Sequence, residues 1–283
     1  MAIIMDGKGL SDKIKNELKE RVAKINTTAL DNSVFHIFQF GDNPASNTYV
    51  GNKIKSCEYT GIPYKLHKYS DEDGENGNLY DFYMDISHSA SDFFNDTRML
   101  QLPAPDVAVR IANDYNNLKP EGDVDGFSAL SPHIPCTPKG IIRLLEEYNI
   151  DIIGKHCVIV GRSEIVGRPM AKLMLDRDAT VTVCHSKTRD LDKFTRDADI
   201  LIVAVGKPNF ITEDMVKEGA VVIDVGINRV DGKLCGDVDF ENVEPKCYAI
   251  TPVPRGVGAM TVAMLMENIV EQIEAGESEF INE

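Results

Sequence analysis

The sequence predicts an α/β protein of two domains, the second built on a doubly wound parallel sheet. Three observations carry this. From residue 156 onward, short apolar runs alternate with helix-sized or loop segments: HCVIV (156–160), TVTVC (180–184), DILIVAV (199–205), AVVIDVG (220–226) and YAI (248–250). That interval is the signature of βαβ units, hence of a parallel sheet. The first run ends on VGRSEIVGRP, a glycine-bounded turn of the kind that opens a nucleotide-binding helix. Finally, 283 residues exceed the ~100–200 usual for one domain, and 43% hydrophobic content suffices for two cores.

The elements follow in order. Ser11 precedes an apolar stripe of Ile14, Leu18, Val22 and Ile25, which predicts a helix capped by Ser11 and ending near Asn26. VFHIFQF (34–40) reads as a strand that stops at the turn cluster 41–44; a helix then runs from about Ser46 to Thr60, closed by Gly61. A short strand at 63–68, a loop DEDGENGN (71–78), a helix from about Leu79, the apolar segment MLQLP and a helix after Pro105 continue the alternation. Thr137-Pro138 starts the helix that leads into the second domain, its apolar face Ile141, Ile142, Leu144, Leu145 and Tyr148. Asp231-Gly232 reads as a hairpin turn. A closing helix starts near Thr261, with Val262, Leu265, Met266, Ile269, Val270 and Ile273 on one face. The expected boundaries are 1–136 and 137–260, with helix 261–283 returning to the first domain.

Composition removes several classes of function. A net charge of −15 argues against nucleic acid, which is bound through clustered Lys and Arg, and an anionic ligand would need a local basic site. The N-terminus lacks the ~7–15-residue apolar core of an export signal, and no apolar run approaches the ~20 residues that span a bilayer. Six cysteines show no C-x-x-C pair and six histidines no metal-ligand spacing, so a soluble, cytoplasmic chain without a metal is expected.

Two groups of residues carry chemistry. In VIVGRSEIVGRP, Gly161 follows a strand and Gly167 opens a helix, where small residues let backbone N–H groups approach a phosphate. Ser163 replaces the middle glycine of G-x-G-x-x-G and the last glycine comes one residue late, so an ordinary strand–helix turn remains the alternative. At the end of the next strand, CHSKT has no acid to hold a ribose 2′-hydroxyl. Ser186, Lys187 and Arg162 are instead donors suited to a 2′-phosphate, which favours NADP over NAD; the alternative is a solvated surface loop. In the first domain, Tyr49 and Lys53 share a helix face at i, i+4, with Ser46 on the same helix. Gln101 in LQLP and Asp125 in GDVDG are candidate partners, although each alone reads as a surface polar residue.

At this level of detail the chain resembles the bifunctional methylenetetrahydrofolate dehydrogenase/cyclohydrolase enzymes. The resemblance runs through GDNPASNTYVGNKIKSCEYTGI, LQLPAP, GDVDGF, PCTPKGI, GKHCVIVGRSEIVGRPMA, TVTVCHSKT, ADILIVAVGKPNF, GAVVIDVGIN, GDVDFE and ITPVPRGVGAMTVAMLMEN. It implies an N-terminal α/β folate-binding domain, a Rossmann-type second domain, a cleft between them, a last helix that packs back on the first domain, and a homodimer. The implied activity is NADP-dependent oxidation of 5,10-methylenetetrahydrofolate to 5,10-methenyltetrahydrofolate, followed by hydrolysis to 10-formyltetrahydrofolate. The family's catalytic lysine falls on Lys53, with Tyr49 beside the folate ring, Gln101 on the lysine and Asp125 on the pterin. Leu102, Pro103, Pro254, Gly256 and Gly258 match the substrate-binding segments, and Gly161, Arg162, Ser163, Ser186 and Ile227 the cofactor contacts. Two segments depart from the family pattern: NDTRMLQLPAP stands for D-G-I-x-V-Q-L-P-L-P, and PRGVGAMT, with Arg255 and Ala259, for P-G-G-V-G-P-M-T. The alternatives are a monofunctional dehydrogenase of the same family, a shikimate-type two-domain dehydrogenase, and a binding protein that has lost catalysis. The combination of Y-V-x-x-K, Q-L-P and D-V-D-G counts against the shikimate-type reading, and intact Lys53 and Gln101 count against the loss of catalysis.

Overall fold

The computed structural model describes residues 1–70, 79–90 and 96–282, with side chains up to residue 277. The expected loop 71–78 lies outside the described residues, as does Asn95 of the divergent NDTRM segment. The chain divides into two units: Lys13–Cys136 with Val262–Glu283, and Met1–Asp12 with Thr137–Thr261.

Residues 1–12, which the sequence places in the first domain, group in the structure with Thr137–Thr261. Ile3–Ile4 (β1) pairs in parallel with Ala249–Ile250, through Ile3 N–H to the Tyr248 carbonyl and Met5 N–H to the Ile250 carbonyl, both 2.9 Å. A strand of two residues has no periodicity to read, so only the backbone pairing reveals it. The helix that follows spans Gly7–Val22 and begins ahead of Ser11, which is buried within it and caps nothing.

In the unit built from Lys13–Cys136 and the C-terminal helix, β2 (Phe35–Phe40), β3 (Tyr64–Tyr69) and β4 (Thr97–Gln101) form a parallel sheet of order β3-β2-β4. Alternation along the strands puts Ile37 and Gln39, with their register partners Met99 and Gln101, on one face. Phe38, Phe40 and Leu100 point the other way, into a cluster with Phe82, Ile86, Ala108 and Ala112 from the helices Tyr80–Ser89 and Asp106–Leu118. Between β2 and β3 runs the helix Pro44–Thr60. Its cap is Asn43, whose side chain accepts the N–H groups of Ala45 and Ser46, so it starts earlier than expected; Gly61, at φ 84°, closes it as the sequence predicts.

The other unit holds β5 (His156–Val160), β6 (Thr180–Cys184), β7 (Ile200–Val203), β8 (Val221–Asp224), the hairpin β9 (Asn228–Val230) and β10 (Lys233–Cys235), and β11 (Ala249–Ile250). The large sheet is six-stranded and parallel throughout, in the order β1-β11-β8-β7-β5-β6. The chain leaves β5 for β6 on one side and reaches β7 on the other, so strand order reverses between β5 and β7. Open α/β sheets bind ligands beyond the carboxyl ends of the strands at such a point. The hairpin turns at Asp231 and Gly232, both left-handed, as expected. The closing helix spans Val257–Asn282 and so starts before the expected Thr261.

Candidate active site and cofactor turn

Lys53 is 8% exposed, although a helical lysine normally reaches water. The reason is β4: Met99 and Gln101 point toward the helix Pro44–Thr60, and the amine donates to Gln101 Oε1 at 3.0 Å and contacts Met99 Sδ at 3.1 Å. The amide of Gln101 is oriented by its own Nε2, which donates to the Leu102 carbonyl at 2.8 Å. That leaves its oxygen facing the amine. Burial pulls the Lys53 pKa below the ordinary lysine value, and the charge of nearby Asp125 opposes the shift. Asp125 is buried as well; burial pushes its carboxyl up, against the pull of Lys53.

The loop that carries Asp125 is tied to its surroundings. Asn268 on the C-terminal helix donates to the Val124 carbonyl at 2.8 Å, and the Cys136 thiol faces Asp125 Oδ1 at 3.9 Å. A pocket beside Asp125 is lined by Met99, Leu102, Val109, Asn113 and Phe127. Tyr49, one turn before Lys53, is 42% exposed, and Leu102 is exposed next to Pro103. Ser46 donates to the Leu102 carbonyl at 3.3 Å. Lys53, Gln101 and Asp125 thus form one cluster, with Tyr49, Leu102 and Pro103 belonging to the same unit.

The second cluster lies at the carboxyl ends of β5, β6 and β8. Gly161 follows β5 at φ 129°, and a Cβ there would come within 2.3 Å of the Ala204 carbonyl oxygen, so only glycine fits. Gly167, which opens the helix Gly167–Leu175, rests directly on the Gly161 backbone. Ser163 explains the missing middle glycine: its hydroxyl accepts the N–H groups of Val166 at 3.2 Å and Gly167 at 3.4 Å, taking part in the helix start. Arg162, Ser163 and Ser186 are exposed. The Ser186 turn is closed by His185 N–H to Thr188 Oγ1 and Thr188 N–H to the His185 carbonyl. Ile227 is exposed beyond β8 and packs on Gly258, where a Cβ would meet its Cδ1 at 2.7 Å. Pro254, Gly256 and Gly258 belong to this unit, apart from the Lys53 cluster.

Residues 5–125 match the catalytic domain of tetrahydrofolate dehydrogenase/cyclohydrolase, and residues 135–277 match its NAD(P)-binding domain. The chain belongs to the tetrahydrofolate dehydrogenase/cyclohydrolase family. Among its relatives, the bifunctional protein FolD of Sulfurihydrogenibium sp. is 49% identical over 280 residues, 95% of this chain and 96% of that one. The FolD protein of Agathobacter rectalis is 48% identical over 286 residues, 97% and 100% of the two chains. The crystal structure of the bifunctional FolD enzyme from Campylobacter jejuni superposes with a TM-score of 0.87 at 42% identity, covering 98% of this chain and 100% of that one. The Trypanosoma brucei dehydrogenase-cyclohydrolase, solved with NADP and an inhibitor, gives 0.84 at 29% identity, covering 97% and 98%.

The structure places one residue of each segment that departs from the tetrahydrofolate dehydrogenase/cyclohydrolase pattern. Arg98, in the divergent segment, is 2% exposed and caps the end of the helix Asp106–Leu118: Nε donates to Asn116 Oδ1 at 2.9 Å and Nη2 to the Tyr115 carbonyl at 3.0 Å and the Lys119 carbonyl. Burial brings its pKa down to about 10, against the charges of Asp123 and Glu121. Burial also raises Asp123 to about 6. Arg255 sits at φ 84°, a backbone region where the family's glycine is unstrained, and its Nη2 lies 3.4 Å from Asp6 Oδ2. Nothing in the sequence pattern signals the burial of Arg98, nor that of Asp224 and Asp237, which lie fully inside the second unit.

Proposed function

We propose that the chain oxidises 5,10-methylenetetrahydrofolate to 5,10-methenyltetrahydrofolate with NADP, and hydrolyses that product to 10-formyltetrahydrofolate. The observation that carries this reading is the buried amine of Lys53, held on Gln101 and facing the charge of Asp125 inside a family of dehydrogenase/cyclohydrolases. Cyclohydrolysis requires proton transfer. Water adds to the methenyl carbon and loses a proton; as the bond from that carbon to N5 breaks, the new hydroxyl gives up its proton to form the formyl C=O and N5 takes a proton, so one proton is released to solvent overall. An amine whose pKa is depressed can accept the first proton and return one to N5. Gln101 positions it, Asp125 binds the pterin, and Tyr49 lies beside the folate ring. Leu102, Pro103, Pro254, Gly256 and Gly258 complete the substrate contacts.

The glycine turn fits a dinucleotide, since the space a Cβ would occupy at Gly161 is closed by backbone, which leaves bare backbone at the strand end where a dinucleotide approaches. NADP, when bound, supplies the hydride acceptor. Gly161, Ser163 and Ile227 hold it, and Ser186 and Arg162 receive a 2′-phosphate at a strand end that carries no acid. The protein acts in the cytoplasm as a homodimer on small folate substrates; all six cysteines are free thiols, as a reducing compartment requires. Among the described residues no helix is long and apolar enough to cross a membrane.

The test compares kcat/KM for NADP and NAD in the wild type and in Ser186→Asp. NADP is expected to win in the wild type, and the substitution should move the ratio toward NAD by about tenfold or more, the effect of one repelled phosphate contact. A wild type without folate-dependent NADP reduction, or a ratio unmoved by the substitution, would overturn the reading.

A further inference from the structure

Asp224 and Asp237 interlock behind the cofactor turn. Asp237 is 0% exposed, yet both of its oxygens are filled. Oδ2 accepts the N–H groups of Val205 at 2.6 Å and Gly206 at 2.9 Å; Oδ1 accepts the Lys207 N–H at 2.8 Å and Asn228 Nδ2 at 2.9 Å. Asp224 in turn accepts the N–H groups of Gly226 and Asp237 on Oδ1, at 3.1 and 2.9 Å, and that of Val238 on Oδ2 at 3.0 Å. Two glycines make room. A Cβ at Gly226 would lie 2.1 Å from the Asp237 carboxyl, and one at Gly236 would lie 1.8 Å from Asp224 Oδ2.

An ionised carboxylate is an acceptor only, and burying it is costly unless donors surround it. At Asp237 three successive backbone N–H groups and a side-chain amide do so, an arrangement that fixes the backbone delivering them. Part of that backbone flanks the cofactor turn. Segment 205–207 follows β7, and Ala204, just before it, presents the carbonyl that closes the space beside Gly161. Asn228 follows Ile227, the residue that packs on Gly258. Both segments lie at the carboxyl ends of the strands, and the first stands where strand order reverses between β5 and β7.

We infer that Asp237 is a positioning residue of the dinucleotide site, acting through segment 205–207 on the backbone beside the glycine turn and through Asn228 on neighbouring Ile227. The inference rests on the proposed NADP reading. It separates the two activities: cofactor binding and hydride transfer depend on this carboxylate, whereas proton transfer at Lys53 belongs to the other unit and does not.

The experiment uses Asp237→Asn, which keeps the shape but places an NH2 among N–H donors, and Asn228→Ala, which removes one donor and leaves the carboxylate. NADP Kd by equilibrium titration, NADP KM and kcat of the dehydrogenase, cyclohydrolysis of methenyltetrahydrofolate without cofactor, and the thermal midpoint are measured on each. The NADP Kd should rise by roughly tenfold or more in Asp237→Asn, and by about threefold in Asn228→Ala, as expected for disrupted charge-assisted hydrogen bonds. Cofactor-free cyclohydrolysis should stay within about twofold of wild type, because no acid–base group is touched. An unchanged Kd in both variants, or both activities falling in parallel with the thermal midpoint, would show that the carboxylate serves only the stability of the fold. If Asp237→Asn does not fold, Asn228→Ala decides by the same criteria. A wild type that binds no NADP would overturn the cofactor reading itself, and this inference with it.

Discussion

Lys53→Met separates what the amine does for the reaction from what it does for the fold. Methionine keeps much of the stem and its packing against β4, but removes the donor that lies 3.0 Å from Gln101 Oε1. Loss of general acid–base catalysis should lower cyclohydrolysis by ~10²–10⁴-fold, which is about 2.7–5.5 kcal/mol of transition-state stabilisation. Stability should change far less. Desolvation is the leading influence on the Lys53 ammonium, so its removal relieves a burial cost. Against this, Gln101 Oε1 loses a donor, at about 1–3 kcal/mol, and Asp125 loses its cation. Burial already pushes the Asp125 carboxyl up, and loss of the cation removes the main pull against that shift. The opposing effects should leave unfolding within about 2 kcal/mol of wild type. The assays are decay of methenyltetrahydrofolate and denaturant unfolding on the same preparation. Near-wild-type cyclohydrolysis would place the acid/base elsewhere, and a loss matched by a collapse in stability would reduce Lys53 to a structural role.

Gly161→Ala should abolish NADP binding and lower the thermal midpoint, since φ 129° and the Ala204 carbonyl at 2.3 Å exclude a side chain; retained affinity would disprove the geometry of the turn. Arg255→Gly should leave the midpoint equal or higher, because relief of a left-handed residue, about 1–2 kcal/mol, outweighs an exposed ion pair with Asp6 worth about 0–1. Arg255→Val should lower it, and the reverse order would refute the strain. Burial raises Asp224 to about 7, so its folded form binds a proton more tightly than its unfolded form. Its stabilising contribution is therefore present below the unfolded pKa of about 4 and lost as pH rises through the folded value. Asp224→Asn should flatten the fall in thermal midpoint over that window, and a parallel pH profile would refute the assignment.

The second unit was legible because every strand of its parallel sheet carries an apolar run, apart from Ile3–Ile4, which is too short to show any period. Helix starts were less legible. Ser11 looks like a cap, but the helix begins at Gly7, and Asn43 rather than Ser46 caps the helix that carries Lys53. That helix buries Ser46, Lys53, Ser56 and Thr60 beside Val50 and Cys57, so a search for an apolar stripe misses its inner face. Motif order, not propensity, brought Lys53, Gln101 and Asp125 together. Arg98 and Asp237 stayed hidden because a charged residue in a short segment reads as solvated; only the carbonyls around Arg98 and the amides around Asp237 reveal their burial. Gly226 and Gly236, which make room for the two aspartates, are too far apart in sequence to suggest the pairing.

The central claim is that one chain performs both reactions in succession, and simultaneous recording of NADPH and methenyltetrahydrofolate tests it most directly. Purified wild type mixed with 5,10-methylenetetrahydrofolate and NADP should form NADPH while the methenyl signal stays well below it, the difference appearing as 10-formyltetrahydrofolate. The same mixture with Lys53→Met should accumulate methenyltetrahydrofolate in step with whatever NADPH it forms. Methenyltetrahydrofolate matching NADPH mole for mole in the wild type would contradict the account, since the chain would then be a dehydrogenase alone.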